Sequence, residues 1–547
     1  MRTSRRGTRM QLMRRRSIEA TIAASDEPER HLRRTLGAWD LVVLGISVVI
    51  GAGIFSKAAM VSATQTGPAV VLSFVIAGVV CALAALCYAE FASHMPVAGS
   101  AYTFSYASMG ELVAWIIGWD LILEMFFASG VVAKAWGLYL DNVLNLFGLG
   151  GVDEHGVASG IHNTVQLPGG ITFDWGTVVL IAVLAAMLTI GTKLSTRFTG
   201  VLTAIKVGIV LLIIVVGFSY FSASRLSPFI PSTESFGESA THGTVWTQTL
   251  FSFFSGAELS VGGVFGILAG AGTVFFAFIG FDVVATAAEE TRDPRRNVPR
   301  GILGGLAITT VLYILVSLAL SGMATPQQLR DATPDGGASA TIITAFQLQP
   351  NAPEWATKVI AVGILVGLTT VVMVLMLGLT RVVFAMSRDG LLPRSLSKTS
   401  ERFGTPVRLQ VGGAVLIALV TAFTKVDVLG NMVNIGTLSA FVLVSFGVPI
   451  LRARRKKALA IEGKEETDHF RVPWSPALPI ISGVACIWLM LQLDVETWVR
   501  FVVWLAVGFV IYFAYGYRSS QLHKHPQDIA ADYREARQGS LGAEPRP

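Results

Sequence analysis

Two glycines, Gly51 and Gly53, interrupt the apolar stretch VVIGAGIF (residues 48–55), and a third, Gly280, interrupts VFFAFIGFDVVATAAEE (274–290) just before Asp282. Glycine lets a helix unwind and leaves no side chain in the way of an approaching ligand. A helix that restarts after Gly53 aims free N–H groups and the positive end of its dipole at the break, which suits a carboxylate. Close helix–helix contact through small residues is the alternative use of such glycines. Asp282 is an ionisable group well inside an apolar run, which is a functional signal in itself. Lys206, in GVLTAIKVGIVLLIIVVG (200–217), is a second such group. It lies about 12 Å into its helix at 1.5 Å per residue, deeper than snorkelling near helix ends reaches. A lysine buried there can gain and lose a proton during a working cycle. Asp120 and Glu124 stand four apart on one helix face, with Lys134 further along the same run, and cannot both meet lipid cheaply. Either a transport role or bonding to a neighbouring helix accounts for them.

The elements that position these groups are membrane helices. The chain has 547 residues, of which 52% are hydrophobic and 14% charged, with a mean hydropathy of +0.61. A soluble chain carries about a quarter charged residues. Runs of about 20 apolar residues, each able to cross a bilayer core of about 30 Å, recur along it. Twelve spans are predicted, near 38–57, 69–91, 111–140, 176–192, 196–221, 267–288, 300–323, 356–387, 407–425, 428–451, 475–493 and 495–517. The apolar stretch Phe251 to Phe265, before the sixth, could form a separate external helix. Cys81, Cys87 and Cys486 all sit in apolar runs, away from ligand spacing, so neither a disulfide framework nor a metal is expected. No cofactor is expected either.

Basic residues set the orientation. Ten arginines precede residue 35, and further clusters follow spans six, eight and ten, the last beginning RARRKKA. Residues 141–175 hold no Lys or Arg, and 222–266 hold only Arg225. The positive-inside rule then places both termini in the cytoplasm. The net charge of +6 is thereby a topological bias and points to no nucleic-acid partner. The charged connector EETRDPRRNVPRG, with Pro294 and Pro299 stopping helices, reads as structural and topological. The organisation expected is a cytoplasmic Arg-rich tail (1–35), two five-helix repeats (36–221 and 222–452), a basic loop with helices 11 and 12 (453–517), and a second cytoplasmic tail (518–547). Spans one and six, the two that break, hold corresponding positions in those repeats. That pattern is expected of a carrier built from inverted repeats with its site at mid-membrane.

GAGIF in span one, GELVAWIIGWDLILEMFFASGVVAKAW in span three, FFAFIGFDVVATAAEETRDPRRNVPRGI through span six and TRVVFAMSRDGLLP ending span eight resemble the amino acid permeases. The closest resemblance is to the cationic amino acid transporter family of the amino acid–polyamine–organocation superfamily. It is dense from about Leu36 to Val448 and weaker through the last two spans. It implies a leucine-transporter-type, all-α fold of five plus five inverted helices with two appended, alternating access, and a plasma-membrane location. By that resemblance the N–H groups of Ala52 and Gly53 receive an α-carboxylate, and the carbonyls of Val49, Ile50, Phe276, Ala277 and Ile279 receive an α-ammonium. Phe276 lies over the substrate as a gate. Where many relatives carry Ser or Thr, this chain has Ala52, which leaves that contact to the backbone. Glu124, of LILE, matches a glutamate that matters for transport in the family. Met376 and Leu377 match the region shaping the side-chain end of the pocket, and their apolar bulk favours small or neutral substrates over arginine. The lysine at the AIK position, Lys206, resembles a built-in cation bridging spans one and five where sodium-coupled cousins hold a metal ion. The expectation is proton-coupled amino acid import, with an amino acid/polyamine exchanger without proton coupling as the alternative.

Other classes fit less well. The spans contain no Ser/His/Asp set and no His-rich metal arrangement for an embedded enzyme; His94, His155 and His162 fall in connectors and His469 in the basic loop. A channel needs no opposed half-helices, and facilitator-type sugar carriers have six-plus-six repeats without these breaks. The partners expected are an amino acid, a proton and the bilayer; the sequence leaves an accessory subunit open.

Overall fold

Each run predicted to span contains helix among its described residues. The computed structural model describes residues 36–520 apart from 95–99, 153–157, 169–170, 191–195, 237–244, 257–260, 289–290, 334, 401–404 and 463–469. The arginine-rich start, the tail beyond 520, His155 and His469 therefore lie outside the described residues. Span one divides into α1 (Ala38–Val49) and α2 (residues 53–66). It is followed by α3 (Val70–His94), a short α4 (Ser100–Ser108) and the long α5 (Glu111–Leu146). His94 is thus the last residue of a helix, not part of a connector. Two antiparallel hairpins follow, β1–β2 (Gly150–Val152, Ala158–Gly160) and β3–β4 (Thr164–Leu167, Ile171–Asp174), before α6 (Trp175–Ile190) and α7 (Thr196–Ser219). The stretch from Phe251 does form its own short helix, α8 (Leu250–Ser255), with Thr249 accepting from the Ser252 N–H at 3.1 Å as its cap.

Span six is α9 (Gly263–Val274), one tight 3-10 turn (Phe275–Phe278), a break, and α10 (Val283–Thr286). Then come α11 (Pro294–Met323), the short α12 (Pro326–Asp331) and α13 (Ile342–Gln347), and α14 (Glu354–Arg388). The chain continues through α15 (Val407–Phe423), α16 (Val426–Glu462), α17 (Ala477–Leu491) and α18 (Val495–Ile511, continuing helically to Ser519). Pro294 occupies the first position of α11, where no N–H is needed. Among the described residues eight helices are long and apolar enough to cross a membrane, and four shorter apolar helices complete the set of twelve spans. The protein is a polytopic all-α membrane protein, and among the described residues the two hairpins supply its strands.

The broken spans run through the middle of the bundle. The most extensive helix contacts are α5 with α14 and α16, and α11 with α3 and α1. Small residues set the last of these: Gly45 of α1 faces Gly301 and Gly305 of α11, so the two backbones approach closely. At the periphery, α15 and α18 present Val415, Leu416, Val502 and Val510 outward, as lipid-facing helices do. Stacked Trp119 and Trp504 hold α18 to α5, with Trp119 Nε1 donating to the Trp504 carbonyl at 2.9 Å and Trp115 Nε1 to that of Gly508 at 3.1 Å. At the N-terminal end of the bundle Arg452 pairs bidentately with buried Glu90, both bonds 2.6 Å, joining α16 to α3.

Candidate functional site

Helix α1 stops because Ile50 turns to extended backbone, φ −69° and ψ 98°, after its N–H has bonded Ile46 O at 3.0 Å. Span six stops at Gly280, whose φ of +111° only glycine adopts without strain. The two breaks touch. A Cβ placed on Gly53 would overlap Cα and Cβ of Ala277, so glycine there permits backbone contact between the broken spans. Both uses weighed for this glycine, close helix contact and an open approach to N–H groups, therefore meet at one residue. The first N–H groups of the restarted helix α2 have no intrahelical partners.

Between the breaks lies a cavity of about 20 Å3. That is room for about one water-sized group, so a larger ligand is admitted only when the walls part. Its wall is entirely glycine or apolar. Of the residues expected there, Val49, Ala52, Gly53, Phe276 and Ile279 line it. Ile50 and Ala277 lie behind the wall, Ile50 fully buried and Ala277 against Gly53. Besides Val48 of α1, two pairs of lining residues were not expected from the sequence: Ala128 and Val132 of α5, and Val371 and Leu375 of α14. Each pair is spaced i, i+4, the signature of one helix face.

Met376 is a correction. It lines a separate apolar cavity of about 540 Å3 with Ile122, Phe126, Leu188 and residues of α15. One residue past Leu375 is about 100° around the helix, which turns Met376 away from the breaks. Leu377 lines neither cavity.

The ionisable groups separate by role. Lys206, 2% exposed, donates from Nζ to the Ser47 carbonyl of α1 at 2.7 Å, and its stem lies against Gly367 of α14. Lys206 thus joins spans one and five through a neutral carbonyl. Asp120, Glu124 and Asp282 are each 1% exposed, and each keeps one carboxyl oxygen without a hydrogen-bond partner; Asp120 also accepts from Ser439 Oγ. Lys134 pairs with Asp174 of β4 at 2.8 Å, a structural tie between α5 and the hairpins.

The sequence profile for amino acid permeases matches residues 36–514. The chain belongs to the amino acid permease family. Relatives of the permease include a methylthioribose transporter of Bacillus subtilis, 38% identical over 94% of this chain and 99% of that one. The branched-chain amino acid permease BcaP of the same organism is also 38% identical, with the same coverage. A vacuolar cationic amino acid transporter of Arabidopsis thaliana is 36% identical over 81% of this chain and 63% of its own.

One residue that joins the two breaks carried no mark in the permease's sequence. Tyr313, in the middle of α11, donates its hydroxyl toward two carbonyls, Val49 O at 2.7 Å and Ala277 O at 3.0 Å. Two of the carbonyls assigned to an α-ammonium are therefore already engaged by a protein donor. A lone tyrosine in an apolar helix was the only available signal. Tyr313→Phe removes the donor and leaves buried acceptors short, a loss of about 1–3 kcal/mol. Uptake by Tyr313→Phe in proteoliposomes is expected to fall roughly tenfold at unchanged protein content; wild-type rates would show that the bridge is dispensable.

Proposed function

We propose that this permease imports small and branched apolar amino acids across the cell membrane, coupled to protons, by alternating access between two inverted five-helix repeats (36–221 and 222–452). The observation that carries the proposal is the cavity between the breaks, where the wall is apolar and the polar groups within reach are backbone groups of the breaks. An α-carboxylate meets the N–H groups opening α2, and an α-ammonium meets the carbonyls left at the end of α1 and in the span-six break. Val132, Val371 and Leu375 leave the side chain an aliphatic niche with no partner for a guanidinium or ammonium. The relative named for branched-chain amino acids accords with this niche, whereas a ribose ring would leave its hydroxyls facing apolar walls. The contact of Gly53 with Ala277 supports paired repeats, since the breaks of the two halves meet. Lys206 is the proton-coupling group in this reading, and Glu124 and Asp282 form a polar element beside the span-six break that takes part in the cycle. The hairpin end faces the outside and both termini the cytoplasm, in keeping with the basic clusters.

Proteoliposome uptake of labelled leucine, competed with unlabelled compounds, tests the substrate. Valine and isoleucine are expected to compete, while arginine, lysine and methylthioribose are not. Val371→Ala, which removes two methyl groups from the wall, is expected to let methionine and phenylalanine compete, and Met376→Ser to leave the profile unchanged. Strong competition by arginine or methylthioribose in wild type would overturn the substrate assignment.

A further inference from the structure

A second cavity, of about 340 Å3, lies between the breaks and the hairpin end and has room for an amino acid. A narrow void lined by Ala52, Lys57 and Met60 separates it from the first: Ala52 borders the site at the breaks, and Lys57 and Met60 border the second cavity. Where the first cavity has only apolar side chains, this one has charged and amide groups. Lys57 Nζ pairs with Asp427 Oδ1 at 2.6 Å, and the Asp427 side chain is 49% exposed. Asp494, between α17 and α18, accepts from Asn431 Nδ2 at 2.9 Å. Gln492 is 5% exposed and lines the cavity, yet its Nε2 has no acceptor. A buried amide donor left unmet costs about 1–3 kcal/mol, and a ligand oxygen satisfies it. Carboxylates and an unmet donor thus share one cavity, with Met60, Val261 and Leu493 as apolar wall. Those are the complements of the two ends of a zwitterion and of an apolar side chain.

We propose that this outer cavity is a second amino-acid-binding site, holding the α-ammonium between Asp427 and Asp494 and the α-carboxylate on Gln492 Nε2. It stands in line with the site at the breaks and rests on the amino acid reading of that site. Its opening toward the bundle centre runs past the Lys57–Asp427 pair, so a ligand ammonium competes with Lys57 for Asp427 and loosens the constriction. Burial, then Asp427 and Glu496, push the Asp494 carboxyl up to about 7, against the opposing pull of Arg500 and the Asn431 bond. Lys57 faces the same group across Asp427. An ammonium is held by the ionised carboxylate, so occupancy of this site is expected to fall as the pH drops below about 7.

Equilibrium dialysis of the purified full-length protein with labelled leucine at pH 8 tests the proposal. Wild type is expected to bind two leucines per chain. Gln492→Glu, which turns the donor into an acceptor at constant shape, and Asp494→Asn, which removes the charge at constant shape, are each expected to bind one. Gly53→Ala, which disturbs the site at the breaks, is also expected to bind one. A single leucine in wild type, unchanged in Gln492→Glu and Asp494→Asn, overturns the second site and leaves the first standing. Two leucines in all the outer-cavity variants overturn the placement. No leucine bound by any form removes the amino acid reading on which the inference rests.

Discussion

Gly53→Ala is expected to lower amino acid uptake about a hundredfold, the rate equivalent of about 2.7 kcal/mol, while the protein still inserts into the membrane. The added methyl overlaps Cα, N and the short Cβ of Ala277, none of which can swing aside as the end of a long side chain does. The broken spans must separate to admit it, and overpacking of this kind costs about 1–3 kcal/mol in a well-packed interior. Separation moves the N–H groups at the start of α2 away from the carbonyls across the cavity, so the two ends of a bound zwitterion no longer fit at once. Valine at the same position is expected to be worse still. Uptake and detergent-extracted, monodisperse protein are measured side by side; near-wild-type uptake by Gly53→Ala would place recognition elsewhere.

Lys206→Ala is expected to abolish accumulation driven by a pH gradient. With one proton moved per substrate, a gradient of one pH unit supplies about 1.4 kcal/mol, or about tenfold accumulation. Lys206 Nζ bonds Ser47 O, two residues before the end of α1, so in the proposed coupling its protonation state acts on span one. On the proposed coupling, losing the proton weakens that tie between α1 and α7. In Lys206→Ala the tie is absent at every pH, and leucine should only equilibrate across the membrane. Adding sodium to wild type should change nothing. Retained gradient-driven accumulation in the variant, or a sodium requirement in wild type, would sink the coupling proposal, as would strict dependence on a counter-substrate inside the vesicle.

The helices and the breaks were legible because their signals are local. An apolar run long enough to cross a bilayer must be helical to satisfy its own backbone, and a glycine inside it marks where that rule is relaxed. The facing of a helix is a finer matter. Met376 and Leu375 are adjacent in sequence but serve different cavities, and only packing of α14 against α5 decides which looks at the breaks. Partnerships across long stretches of chain were not legible at all. Lys57 and Asp427 are 370 residues apart, and Tyr313 and Val49 are separated by 264. The partner of Lys134, Asp174, belongs to a hairpin that hydropathy does not reveal.

The hydroxyl of Tyr313 has a mechanical consequence. It holds the last turn of α1 and the tight turn of span six from a single atom, itself fixed on the unbroken helix α11. Two hinges pinned to one axle cannot swing independently. A tilt of α1 must either break the bond to Val49 O or draw on the turn at Ala277, because both carbonyls share the one hydroxyl. In the proposed cycle, a pull on either break is therefore expected to reach the other through Tyr313.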